Sequence, residues 1–487
     1  MRKHLIFTLS VVLLVVGHVN AQIETTSYFM SSLPQSVISN PAFVPKYKFS
    51  LTLGTSFMAA YSNSGFNYND LVKKENGKVV ADLSRWASNL PEKSNIIAAS
   101  QLDLFRFGLR INPKLYITLN STAKEYSLTL IPKDIVALVA NGNASYIGKS
   151  TSMSPELQLT SYLENAIGFS YEISKQLRIG GRVKFLNGMI SMNTKSSNLN
   201  IAVDENYSSI TAAADMRVRT SGLYDLNQSG YSFSDQVSNY FKNNGWGMDL
   251  GATYKLTDKI TLAASLIDIG QINWKNNTYE YTLDKATANY TFSGIEATDL
   301  LNGDSKPLEA QIDSIKNNFK PVEKQTGAFK TPLPSKMYLS GSFEVTKSFT
   351  AGAILFAEKF HGRFGPGLAL AMNKHFGKVL STSLSYTLSN RSFNNFGAGL
   401  SLNLAPIQIF VVGDNLLNLP VVLAAKQELN PYLNTTQVFN VRAGLNFVWG
   451  WTRESVNEKE SKAYNSKGKK NTKEAKPDVI KMRKKRK

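Results

Sequence analysis

Phe439-Asn440-Val441-Arg442-Ala443-Gly444-Leu445-Asn446-Phe447-Val448-Trp449 puts Phe, Val, Ala, Leu, Phe and Trp on its odd positions, and Asn, Arg, Gly and Asn on its even positions up to 446. The period is two, which is the period of a strand. One face is suited to oil, and the other carries an arginine and is not. Aromatic residues stand at both ends of the apolar face, as they do where a transmembrane barrel meets the two water interfaces. A strand of a soluble sandwich alternates in the same way, so recurrence has to decide between them.

The pattern does recur. Phe49, Leu51, Leu53, Thr55, Phe57, Ala59 and Tyr61 share a face, and Phe105, Phe107, Leu109 and Ile111 oppose Arg106, Gly108 and Arg110. Leu177, Ile179, Gly181, Val183 and Phe185 oppose Arg178, Gly180, Arg182 and Lys184. Trp246, Met248, Leu250, Ala252 and Tyr254 oppose a face that includes Asp249 and Lys255. The second faces are rich in Gly, Ser, Asn and Arg, which suits a wet lumen better than the dry core of a sandwich.

The start of the chain reads as an export signal over residues 1–21. Arg2 and Lys3 precede the apolar run Leu5 to Val16, and Val19-Asn20-Ala21 offers a small-residue cleavage site. An apolar run of about 12 residues is too short to cross a bilayer as a helix, and no later segment approaches the necessary length. The chain has no cysteine, which excludes disulfides and thiolate metal sites. The net charge is +19, or +17 without Arg2 and Lys3, and residues 452–487 hold 14 Lys+Arg against 5 Asp+Glu. An exported chain rarely meets nucleic acid, so the basic balance is not read as a nucleic-acid footprint.

Connections fall into two classes. Short turns lie at Asn112-Pro113-Lys114, Ser174-Lys175-Gln176, Thr257-Asp258-Lys259, Thr346-Lys347-Ser348, near Gly377 and at Ala405-Pro406. Longer links span 62–100, 132–159, 195–245, 274–333 and 415–436. Outer-membrane barrels have short periplasmic turns and long outer loops. With 48–61 running outward, six in-and-out pairs and 437–449 returning, the count is 14, an even number with both termini periplasmic. Residues 209–222 alternate as well but would break the parity, so with 197–203 they are expected to form a hairpin projecting outside. The expected fold is therefore an all-β, antiparallel transmembrane barrel over 48–450. A lumen hatch over 22–47 precedes it, and a disordered basic tail over 451–487 follows, in the periplasm of a Gram-negative bacterium.

Ser39-Asn40-Pro41-Ala42-Phe43-Val44-Pro45 precedes the first strand, and its two prolines make it a poor strand itself. Asn-Pro-Ala at this position, fourteen candidate strands and periplasmic termini resemble the long-chain fatty-acid channel superfamily. The nearest likeness is to its Bacteroidota branch, which includes secretion-system accessory barrels and families of unknown function. The blocks 162–171 and 179–188 have the look of one uncharacterised family there. The resemblance implies that Asn40, Pro41 and Ala42 are hatch residues; the alternative is that Pro41 simply ends a turn before the first strand.

Enzyme chemistry finds little to work with. After the signal only His361 and His375 remain, on opposite ends of one strand about 45 Å long. There is no nucleophile elbow or His-Glu-x-x-His motif. No catalytic residue, metal or cofactor is expected. Arg106, Arg110, Arg178, Arg182, Lys184, Lys255, Lys336 and Arg442 should face the lumen, against Asp249 and Glu344. They read either as an anion-favouring passage or as a structural network that holds the hatch. Gly365-Pro366-Gly367 reads as a wall bulge, either an ordinary one near the rim or a gap for sideways exit of an apolar ligand. The outer link 416–425 is unusually apolar, and Leu308 to Phe319 is spaced like a short amphipathic helix, with another candidate at Ile135 to Val139. The leading functional expectation is passive passage of a small apolar compound across the outer membrane. The other is a non-transporting accessory barrel of a secretion, adhesion or assembly complex. Its partners would be outer-membrane lipid and, through the basic tail, a periplasmic or secretion-complex partner.

Overall fold

The computed structural model describes residues 24–64, 68–76, 78–206, 209–223, 241–294, 306–360, 362–389, 392–416 and 438–451. The expected signal, most of the apolar link at 416–425, His361 and the basic tail lie outside the described residues.

Fourteen antiparallel strands close into one wall. They are β1 (Tyr47–Ser64), β2 (Lys93–Arg110), β3 (Leu115–Pro132), β4 (Glu156–Glu172), β5 (Leu177–Val203), β6 (Asn244–Lys255) and β7 (Ile260–Trp274). They continue as β8 (Ser335–Thr346), β9 (Phe349–Phe360), β10 (Arg363–Phe376), β11 (Leu380–Ser389), β12 (Ser392–Leu404), β13 (Ile407–Asp414) and β14 (Val438–Trp451). Each pairs with its neighbour in sequence, and β14 closes onto β1 through Tyr47↔Trp451 and Tyr61↔Phe439. Closure leaves no open edge in the wall, and it gives every backbone group a partner where water is absent.

The alternation holds in three dimensions. On β5, Val183 is 67% exposed while Arg182 and Lys184 are buried. Outward aromatics gather near the short-turn end, where Phe49 meets Phe107 and Trp449 at 5.4 and 5.1 Å. Others mark the far end, as Tyr61 stacked on Phe439 and Tyr386 against Phe396. On β6 the girdle residues Trp246 and Tyr254 are both exposed. Eight residues at 3.4 Å each give about 27 Å along the strand, or roughly 20 Å along the axis at a tilt of ~40°. That is close to the ~25 Å apolar band of membrane barrels. Among the described residues no helix is long and apolar enough to cross a membrane; the crossing is made by strands.

Beyond the wall, the far half of β5 pairs with Ile210–Ser221, which in turn pairs with Thr278–Leu283 and Asn289–Phe292. This is the hairpin that parity demanded, extended into a small sheet by Val322–Gln325 and by Ser150–Met153. Helices form at Lys306–Asn318 and Lys133–Asn141, both on the expected spacings. The second packs Val136 and Ala137 against Trp86, Ala87 and Leu90, from helix Leu83–Asn89 and its end.

One expectation is corrected here. Gly365, Pro366 and Gly367 pair in unbroken register with Glu358, Ala357 and Phe356, so the wall has no bulge at that point. The glycine has a different cause: a Cβ at Gly367 would overlap the ring of Phe356, which fills the lumen there. Register shifts fall elsewhere, among them Leu51/Phe57 between β1 and β14, Asp103/Phe105 between β2 and β3, and Met248/Leu250 between β6 and β7.

Candidate functional site: a filled lumen

Residues 24–46 run inside the barrel, from Tyr47 at the short-turn end up to Glu24 beside Arg442 on the far half of β14. The segment has one short 3-10 turn, Pro34–Ile38, and further turn bonds of its own, such as Met30 N to the Ser27 carbonyl and Lys46 N to that of Ser31, which leaves other backbone polar groups in need of partners. The wall supplies several of them. Asp414 accepts from Thr25 Oγ1 at 2.8 Å, Thr26 N at 2.9 Å and Thr26 Oγ1 at 2.6 Å. Ser383 donates to the Thr26 carbonyl, Gln408 to that of Ser32, Ser265 to that of Ser39 and Ser170 to that of Ala42. Gln35 and Asn446 exchange two amide hydrogen bonds at 2.8 and 3.1 Å.

The Asn-Pro-Ala triplet lies within this contact. Asn40 donates to the carbonyls of Ala252 and Ala264, on β6 and β7, and accepts from Ala42 N at 2.8 Å. Pro41 has no N–H to satisfy and rests on Gly180. Wall glycines make the close approach possible. A Cβ at Gly180 would overlap the Pro41 backbone, one at Gly251 the Asn40 amide and one at Gly397 the Thr26 hydroxyl. At Gly352 it would stand 2.6 Å from the Phe29 ring. The seat is thus cut into the lumen face of four strands by absent side chains.

Charges occupy a layer above the seat. Lys124, Arg182 and Lys184 face Glu164, Asp249 and Asp268, three cations against three carboxylates, all buried. Lys184 reaches Asp249 at 2.7 Å, Glu164 at 3.4 Å and Asp268 in a short contact. Arg182 reaches Asp249 at 2.9 Å and Glu164 at 3.1 Å. Arg106 binds Asp103 with two hydrogen bonds, 2.7 and 3.1 Å. Two bulges aim these groups inward. The shift at Asp103/Phe105 lets residues three apart both face the lumen, and the positive φ of Asp268 turns its carboxylate toward Lys184. Of the expected lumen charges, Arg110 holds the Pro45 carbonyl, Arg178 pairs with Glu172 and Lys336 with Glu358. Lys255 is exposed at the end of β6, and Glu344 is half-buried near the turn that follows β8.

Glu24 and Arg442 join the segment to the wall by two parallel hydrogen bonds of 2.7 and 2.9 Å. Burial pushes the Glu24 carboxyl up, but the Arg442 guanidinium more than offsets this and holds it below its ordinary value. Burial pushes the Tyr28 phenol up to about 12, against a hydrogen bond from Ser340. Arg442→Lys keeps the charge and loses the fork. Losing one charge-assisted bond of about 1.5 kcal/mol should lower amide exchange protection at Thr25 and Thr26 roughly tenfold. Unchanged protection would mean that the pair does not hold this end of the segment.

Above the charges the lumen turns apolar. The lumen face of β3 reads Tyr116, Thr118, Asn120, Thr122, Lys124, then Tyr126, Leu128 and Leu130, all buried. Tyr126, Leu128, Tyr162, Leu186, Trp274 and Phe360, from five strands of the wall, belong to one buried cluster. On the outer face of β3 the polar change comes at Glu125, which is exposed. Past the membrane the barrel therefore inverts, with water outside and oil within.

No curated protein matches the chain. Among solved structures, a mutant of the monoaromatic hydrocarbon channel TodX aligns at 11% identity over 86% of this chain and 94% of its own, with a TM-score of 0.42. The Pseudomonas putida toluene transporter TodX gives 10%, the same coverages and 0.41, and a Pseudomonas aeruginosa FadL homologue gives 11%, 90% and 100%, and 0.40. At these values the likeness assigns no substrate. A protein-family model described as a family of unknown function, DUF5723, matches residues 41–414. That is more than three quarters of the sequence, and the chain belongs to this family.

Proposed function

We propose that the protein is an outer-membrane barrel that admits a small apolar compound, with residues 24–46 as the hatch that must yield for passage. The supporting observation is the order of layers down the lumen: a closely packed apolar stratum in its far part, then a neutral ion layer, then the hydrogen-bonded hatch. Porin mouths and lumens are polar because water and ions must enter. A greasy first layer instead favours solutes that leave water readily. The balanced cations and carboxylates below it give no surplus field for attracting anions, so the ions are read as the network that braces the hatch. The export reading of residues 1–21 and the periplasmic placement of the tail complete this proposal.

Extraction in mild detergent followed by mass spectrometry tests it. An acyl or aromatic ligand retained by the barrel is expected, together with uptake of that compound into barrel-loaded vesicles. A stable complex with another protein and no apolar ligand would favour the accessory-barrel reading, which the projecting sheet around Ile210–Ser221 supports. Bilayer recordings should show no anion preference; a clear one would contradict the bracing role of Arg182 and Lys184.

A further inference from the structure

The net charge of the barrel lies at one end. Residues 24–451 carry 39 Lys+Arg and 31 Asp+Glu, a net of +8. The start of β1 and the stretches around the short turns (46–48, 110–114, 172–178, 255–259, 344–347 and 374–378) hold 11 of these cations and 3 of the acids, which is also +8. Everything else between 24 and 451, outer links included, is therefore neutral. An unselected surface would spread such a surplus over both ends.

The placement is specific. Lys114, Lys175, Lys259, Lys347 and Lys378 are exposed at five successive short turns, and none has an ion-pair partner among the described residues. At each of these turns an exposed apolar side chain stands two or three residues away. Ile111 accompanies Lys114, Ile173 accompanies Lys175, and Leu256, Val345 and Phe376 accompany the other three. These apolar residues continue the lipid-facing girdle of Phe49, Phe107 and Trp449. The lysines therefore sit one step beyond the hydrocarbon, at the depth of lipid headgroups, with stems long enough to lie along the girdle and heads free to reach a phosphate. A soluble acidic protein would need a contiguous patch, and a ring around the whole rim does not offer one. A leaflet surrounds the rim on all sides.

We infer that the short-turn rim of this barrel is a binding surface for anionic phospholipid headgroups, which it selects from the surrounding leaflet. This does not depend on what passes through the lumen. The test uses the full chain in nanodiscs of phosphatidylethanolamine and phosphatidylglycerol, extracted gently, with co-purified lipid counted by mass spectrometry. A variant with all five lysines changed to glutamine leaves wall, lumen and tail intact. Phosphatidylglycerol should be enriched about threefold around the wild type, and the variant, which keeps the other rim cations and the tail, should lose most of that enrichment. High salt should abolish the difference. Equal enrichment in the two proteins would overturn the inference. So would binding of isolated cell-wall fragments that phosphatidylglycerol vesicles fail to displace. A barrel that keeps its heat-modified gel shift in the variant shows that folding is not the cause of any loss.

Discussion

Lys184→Met is expected to destabilise the barrel by about 3–5 kcal/mol, the usual loss when one partner of a buried ion cluster is removed. Lys184 is fully buried and touches Asp249, Asp268 and Glu164. Without it the six-group cluster changes from three against three to two cations facing three carboxylates. Water cannot reach the surplus charge, so desolvation is left uncompensated. Urea unfolding from vesicles should show the loss. The double variant Lys184→Met/Asp268→Asn restores neutrality and should recover a large part of it, because the two sites are in direct contact and their effects are not additive. A single variant within 1 kcal/mol of wild type would mean that the cluster is hydrated and not a brace.

The second large effect concerns the seat and leaves the wall alone. Gly180→Val with Gly251→Val places side chains where the Pro41 backbone and the Asn40 amide now lie. Overpacking costs typically 1–3 kcal/mol per site, so the pair should shift the segment out of its seat by at least about 30-fold. The pairing of β5 with β6 runs through these residues, Gly181↔Leu250 and Gly180↔Gly251, and valine is at home in a strand. The barrel should therefore stay folded and become leaky. Liposome swelling or conductance should rise sharply, and the segment around Asn40 should become open to protease. A folded variant with unchanged conductance would show that residues 24–46 are not what closes the lumen.

How much of this could be read from the chain alone depends on parity. Where a strand is regular, every second residue declares its side, and the period of two puts Arg106, Arg182, Lys184, Asp249 and Arg442 on the polar face, where they are buried. Where a bulge adds a residue the rule inverts. Asp268 follows Ile267 in sequence, yet both are buried, because the backbone turns through positive φ between them. Asp103 lies just before a register shift, so alternation does not assign its side either. Glu164 and Lys124 sit on strands of period two, so their side follows from the alternation, whereas their pairing with each other follows only from the register of two strands. In Gly365-Pro366-Gly367 the glycine and proline point to the backbone, whereas the demand at Gly367 comes from the Phe356 ring on the neighbouring strand.

The sequence by itself determined the number of strands, which faces meet lipid and which meet the lumen, and that the segment before β1 is no strand. Those follow from a period of two, from turn residues and from proline chemistry, all local along the chain. The partners were decided by tertiary structure alone. Closing the wall brings Thr26 beside Asp414 and Glu24 beside Arg442, across nearly the whole length of the chain. It also turns scattered glycines on four strands into one seat. Such meetings depend on strand register and on which side of the cylinder each strand occupies, quantities that exist only once the sheet has closed on itself.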